Sequence, residues 1–191
     1  MAYITVDDVK YYLVNSSDQF SLTDFDESLL NSLMDSICSF VELEIGNPVE
    51  PKQFDEHLTV SGSNKVLLSH FPVVSVSTIE VAFDSTYNFS PLDVNDFFLL
   101  KDSGILIYKK GSLETTDFGF HVIYTAGYET VPNDLKYLAC ELVYLTYQKI
   151  RHGTLDLSYM SNFRENVAFI RDRILLPHHE RILETYRTRI S

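Results

Sequence analysis

Tryptophan is absent from this 191-residue chain, cysteine occurs twice, glycine seven times, and no arginine precedes residue 151. Each scarcity excludes something. Two isolated cysteines, Cys38 and Cys140, cannot form a Cys-x-x-Cys zinc or redox motif. Both sit in apolar helical patterns and read as buried thiols of a reducing compartment. The few glycines form neither Gly-x-Gly-x-x-Gly nor a Walker-type loop, so nothing cradles a phosphate. Gly-x-Ser-x-Gly is missing too. No apolar run approaches the ~18–20 residues that cross a bilayer, so no membrane partner is expected. Met1-Ala2-Tyr3-Ile4-Thr5 lacks a basic segment leading into an apolar one, which predicts a cytoplasm-like site of synthesis. Basic charge is also short. The formal net charge is −12, and a chain this acidic does not wrap nucleic acid by neutralising phosphates.

What is present is aromatic and unevenly charged. Thirteen Phe and twelve Tyr imply large buried or interfacial areas. Residues 1–130 hold 20 of the 27 acidic side chains and only six lysines, whereas residues 131–191 hold nine of the 15 basic ones. Arg151, Arg164, Arg171, Arg173, Arg181, Arg187 and Arg189 are all the arginines there are. A helical tail that uses arginine as a solvated helix former is one reading. We favour a basic arm that docks on an acidic surface of a partner or a neighbouring copy.

Periodicity predicts an α+β protein. Thr5, with Asp7 and Asp8 behind it, caps a short helix over 5–14. Asp24 and Glu27 resemble a capping box for a helix over 24–45, whose apolar face is Leu29, Leu30, Leu33, Met34, Ile37, Phe40, Val41 and Ile45. Gly46 and Pro48 end it. Glu42 and Glu44 are unfavourable at that end of the helix dipole and suggest only an intersubunit partner.

From about 54 to 128 the period is that of strands. Short strands flank the glycine turn between His57 and Leu68. A β-branched strand follows over 72–83, then a hairpin over 97–108 and a last strand over 120–125. A third helix opens near Pro132 and runs to 151, with Gly153 beyond it. Residues 161–174 are partly helical, Leu175-Leu176-Pro177 interrupts, and a final helix spans 178–187. Neither late helix is apolar enough to stand alone. The division expected is a main domain over 1–150, carrying the β insert, and an Arg-rich C-terminal arm over 151–191.

Candidate chemistry is thin, and no catalytic residue, metal ligand or cofactor is assigned. His178 and His179 project about 100° apart on a helix and read as exposed tail residues. His57, His70 and His121 read as structural. Asp7-Asp8 and Asp24/Asp26/Glu27 fall where carboxylates stabilise helix starts. Asp93-Val94-Asn95-Asp96 lacks the remaining ligands of a calcium loop. Tyr137, Tyr144 and Tyr147 suit packing or an interface better than base stacking.

One stretch is distinctive. Tyr124-Thr125-Ala126-Gly127-Tyr128 ends a strand, and Val131-Pro132-Asn133-Asp134-Leu135 opens a helix. Gly127 permits a sharp turn, Tyr128 covers it, Pro132 sets φ, and Asp134 sits in the first turn. This run resembles the head–tail connector (adaptor, or head completion) family of tailed bacteriophages. So do Ile4-Thr5-Val6-Asp7-Asp8-Val9-Lys10 and Phe71-Pro72-Val73-Val74-Ser75-Val76, and the resemblance covers most of residues 3–150.

It implies a helical core with an inserted antiparallel β element, and no enzyme. It implies a homo-oligomeric ring, commonly of twelve copies, between the portal protein and the tail or a tail-completion protein. The ring would extend a channel through which double-stranded DNA passes without sequence-specific binding. The place of work would be the virion neck, reached from the host cytoplasm during assembly. Arg164, Arg171, Arg173, Arg181, Arg187 and Arg189 become the candidate contacts to portal or neighbour. A small acidic metal-dependent hydrolase and a monomeric phage regulatory protein are the alternatives.

Overall fold

The structure, a computed structural model, describes residues 2–16, 27–84, 86–152 and 170–187. The chain divides into a helical unit, residues 1–46 and 131–191, and a β unit, residues 47–130. The fold class is α+β, as the periodicities require.

In the helical unit, α1 spans Val6–Ser16 and α2 spans Glu27–Ile45. α3 spans Asn133–Arg151 and α4 spans Pro177–Tyr186. The start of α1 is a reciprocal cap. The Asp8 N–H donates to Thr5 Oγ1 (3.1 Å), and the Thr5 N–H and hydroxyl both donate to Asp8 Oδ2 (2.8 Å each). The Thr5 N–H, and then its hydroxyl, hold the Asp8 carboxyl below its usual range.

α2 buries Leu30, Leu33, Met34, Ile37, Cys38, Phe40, Val41 and Ile45, one stripe at spacings of three and four. Its end is a left-handed Gly46, φ 72°, whose N–H donates to the Glu42 carbonyl (3.0 Å). That closes one of the carbonyls a helix end leaves open. The Asp24 cap lies outside the described residues.

α3 packs on α1, α2 and α4, and α4 also packs on α2. Leu135, Leu138, Ala139, Leu142 and Val143 form its buried stripe. Thr146 is also buried, and its hydroxyl donates to the Leu142 carbonyl (2.7 Å), the local bond that makes a buried threonine tolerable. Burial pushes the free thiols of Cys38 and Cys140 up to about 12, so neither is a reactive thiolate.

In the β unit, β1 (Lys52–Leu58), β7 (Phe120–Ala126), β3 (Val73–Val81) and β4 (Ser90–Pro91) form an antiparallel sheet in that order. β2 (Lys65–Leu67), β6 (Ile105–Tyr108) and β5 (Phe97–Leu100) form a second. The strands flanking the glycine turn at 57–68 are present but pair apart, β1 with β7 and β2 with β6. Period 2 identifies a strand and says nothing of its partner.

The expected hairpin is β5–β6. It turns at Gly104, φ 63°. Alternation is clean in β7, where Phe120, Val122, Tyr124 and Ala126 are buried and the residues between them half-exposed. In β3 it fails at two register shifts, between Val73 and Ser75 and between Val76 and Thr78. A bulge adds a residue and flips the faces beyond it. Ile79, Val81, Phe97 and Leu106 complete the core between the sheets.

Candidate functional site

The distinctive stretch is built around two buried features of the β unit. Tyr124 is almost fully buried. Its hydroxyl donates to Glu56 Oε1 on β1 (2.7 Å) and accepts the His70 N–H (3.1 Å). Glu56 Oε2 accepts the Ser69 N–H (3.3 Å), so one phenol and one carboxylate hold the loop that precedes the cis Phe71–Pro72 bond. Burial, and then the adjacent Glu56, push the Tyr124 phenol up. It is a neutral structural donor. His70 stacks on Phe54, ring centroids 4.0 Å apart.

The second feature is Gly127. Its φ is 127°, and an added Cβ would lie 2.6 Å from the Glu50 carbonyl carbon and 2.8 Å from Pro51 N. Two chain segments therefore meet where only hydrogen fits. The Gly127 N–H donates to the Pro72 carbonyl (2.8 Å), and the Tyr128 N–H to that of Val49 (3.0 Å). Both bonds tie the end of β7 to neighbouring loops.

The remaining motif residues belong to the helical unit. Pro132 precedes the first residue of α3 and its carbonyl accepts the Lys136 N–H (3.1 Å). Asp134 accepts the Leu135 N–H (3.0 Å), and both its oxygens lie 2.7 Å from the Tyr186 hydroxyl.

The C-terminal segment is more firmly held than its composition suggests. A tail poorly packed on its own core is what the sequence leads one to expect. Within residues 170–187, however, Ile170, Ile174, His179 and Leu183 are all buried. Arg171 and Arg187 converge on Glu44. Arg171 Nε donates to Glu44 Oε1 (3.1 Å), its terminal nitrogen binds the same oxygen, and Arg187 donates to Glu44 Oε2 (2.9 Å). The Glu44 side chain is 4% exposed. The carboxylate at the wrong end of the α2 dipole thus has partners in its own chain. Arg173 and Arg181 are exposed, and Arg164 and Arg189 lie outside the described residues.

His179 is not an exposed tail residue. It is fully buried, because its Nδ1 accepts the Leu176 N–H (3.0 Å) and caps α4 from inside. Two adjacent histidines also reach one group. Glu141 Oε2 is 3.2 Å from His178 Nε2 and 3.1 Å from His179 Nε2. The second contact lies off the hydrogen-bond direction. Burial lowers His179. Burial opposes the charge on Glu141, but the two histidines hold it below its usual range.

A second histidine cluster lies on the exposed face of the larger sheet, where His57 and His121 are opposed across β1 and β7. His121 Nδ1 is 2.9 Å from Glu80 Oε2 and Nε2 is 2.9 Å from Asp55 Oδ1. Burial works against a charge on His121, but the two carboxylates raise it above its usual value. Asp93 accepts the Asn95 N–H (2.9 Å) and caps a short 3₁₀ turn.

The family model of the head completion protein matches residues 2–189. The chain belongs to the head completion protein family. It is accordingly a structural component of a phage-type virion. No curated protein sequence matches it.

Among solved structures, this head completion protein is similar to a chain in the neck of an empty GTA particle computed with C6 symmetry. The TM-score is 0.59 and the identity 14%, over 98% of this chain and 94% of that one. Chains from the virion of a native gene transfer agent particle and from its neck computed with C12 symmetry each give 0.56 and 17% over the same shares. Those likenesses establish the fold.

Several surface residues of the head completion protein carried no recognisable motif. In the helical unit Tyr11 and Tyr137 are exposed beside a groove of about 550 Å³ whose lining includes Asp7, Asp8 and Lys136. In the β unit Phe83, Phe98 and Phe118 are more than half exposed. Isolated exposed rings are invisible to periodicity, which records only which face of an element is buried. Among the described residues no helix is long and apolar enough to cross a membrane.

Proposed function

We propose that this chain is a non-catalytic subunit of the phage neck that assembles into a ring of twelve copies between portal and tail. The carrying observation is family membership over residues 2–189, supported by fold likeness to a chain of a GTA neck computed with C12 symmetry. Exposed Tyr11, Tyr137, Phe83, Phe98 and Phe118 are available for contacts with neighbouring subunits, where aromatic rings are enriched.

The ring extends the channel for double-stranded DNA. A wall with net charge −12 lets phosphates slide past without gripping them. The subunit is made in the host cytoplasm and used in the virion neck. Its division of labour is an adaptor domain over 1–150 and an Arg-rich arm over 151–191. Tyr124, Gly127, Tyr128, Pro132 and Asp134 are the positioning residues of the domain. Arg164, Arg173, Arg181 and Arg189 are the arm's contacts to portal or neighbour. Arg171 and Arg187 secure the arm to its own subunit.

The test is mass by light scattering, for the chain alone and mixed with the cognate portal protein, followed by electron microscopy of any complex. A twelve-fold ring on the portal is expected. A chain that stays monomeric with portal present overturns the proposal.

A further inference from the structure

We propose that Asp55, His57 and His121 form a transition-metal site, suited to Zn²⁺, on the exposed face of the larger sheet, with Glu80 orienting His121 from behind. This goes beyond the neck reading and does not depend on it.

The topology creates the cluster. His57 and His121 are directly paired across β1 and β7, so their side chains leave the same face. Asp55 lies two residues before His57 and shares that face by the period of the strand. Glu80 is paired with His121 from the other side, on β3. One ligand atom from each of Asp55, His57 and His121 lies within 4.8 Å of the others. Four-coordinate zinc, with bonds of ~2.0–2.2 Å to nitrogen and oxygen, places its ligand atoms roughly 3.3 Å apart. His121 Nε2 and Asp55 Oδ1 are already 2.9 Å apart. His57 is exposed and free to close the remainder by side-chain rotation. Its ring lies parallel to that of His121, with centroids 4.5 Å apart and 10° between planes. Phe89 meets both rings edge-on, at 5.5 and 5.9 Å, and supplies an apolar wall.

The orientation of His121 matters most. Its Nδ1 faces Glu80 Oε2 at 2.9 Å. A histidine whose one N–H is held by a carboxylate presents the lone pair of its other nitrogen outward, the arrangement that fixes metal-ligating imidazoles. The other nitrogen, Nε2, donates to Asp55 Oδ1 in the metal-free protein. With Nδ1–H held by Glu80, an incoming cation displaces the Nε2 proton and leaves a neutral ring whose lone pair faces Asp55. Two imidazoles and one carboxylate select a borderline transition metal over Ca²⁺ or Mg²⁺, which take oxygen ligands.

The other histidine cluster has similar spacings and the wrong tautomer. His179 Nδ1 accepts the Leu176 N–H, so its ring proton is on Nε2, the nitrogen that faces Glu141. Freeing a lone pair there would require an imidazolate or the loss of the Leu176 bond, whereas His121 keeps its other proton toward Glu80. The two clusters therefore separate on hydrogen bonding alone. The bound ion would staple the edge strand β1 to its neighbour β7.

The experiment is a zinc titration of the full chain, stripped of metal with a chelator, by calorimetry and by the visible absorption of Co²⁺ as a probe. One ion per chain is expected, with an intense four-coordinate Co²⁺ spectrum. His57→Gln, at an exposed edge-strand position, should weaken binding more than tenfold. Glu80→Gln keeps all three ligands and should still cost about 10–100-fold. His178→Gln should change nothing. Binding weaker than about 100 µM overturns the site. So does binding equally tight in His57→Gln, which would mark an adventitious ion only.

Discussion

Replacing Glu44 by glutamine should loosen residues 170–187 from the helical unit without unfolding it. The carboxylate is 4% exposed and receives Arg171 and Arg187. Had all three groups been buried, removing one would cost about 3–5 kcal/mol through the uncompensated charges left behind. They are not. The Arg171 side chain is 56% exposed and that of Arg187 37%, so both guanidinium groups regain water when the carboxylate is lost. Arg171 is then a surface pair, worth about 0.5 kcal/mol. Arg187 loses a more sheltered charge-assisted bond, about 1.5 kcal/mol, and keeps its bonds to the Glu44 carbonyl and Glu180 (3.2 Å each). The sum, about 2 kcal/mol, should lower the urea midpoint by about 1 M at a typical slope. Amide exchange by mass spectrometry should rise in 170–187 before it rises in α2 or α3. An unchanged midpoint together with unchanged exchange in that segment would refute the argument that Glu44 anchors it.

Three further outcomes follow from the geometry. Gly127→Ala must place a methyl against Glu50 and Pro51 at a φ of 127°; a cost of about 3 kcal/mol, or a melting temperature roughly 10 °C lower, is expected, and a melting curve within about 2 °C of the parent would contradict the close approach. Tyr124→Phe removes a donor to Glu56 and an acceptor for the His70 N–H, and chemical denaturation should register about 2 kcal/mol. Burial holds His179 neutral below its ordinary value of 6.5, so the unfolded chain takes up a proton that the folded one refuses. Stability of the α4 region should fall as pH drops below 6.5, read by exchange of 170–187, and His179→Gln should flatten that dependence.

Much of the helical unit is legible in advance because amphipathic stripes are local. Leu30 through Ile45 and Leu135 through Thr146 announce their buried faces within a few turns, and Thr5 and Asp8 form their cap within three residues. The motif from Tyr124 to Asp134 is also readable as a strand, a turn and a helix start. The partners of Tyr124 and the crowding at Gly127 come from residues far earlier in the chain. Glu44 looked unpaired for the same reason, since Arg171 is 127 positions away. His57 and His121 became neighbours only once strand register was known. The bulges of β3 break its alternation, and the burial of His179 is not legible because α4 carries only two buried positions, His179 and Leu183.

The β unit begins and ends inside one continuous segment, residues 47–130, while the helical unit is assembled from both sides of it. Synthesis from the N-terminus therefore finishes all seven described strands before α3 and α4 exist. The sheets can mature on the emerging chain, whereas α1 and α2 must wait with their apolar faces uncovered until residues 133–187 arrive. The hazardous interval in this protein's life belongs to its first helices, and a chaperone that guards them would find Leu30, Leu33, Ile37 and Phe40 to hold.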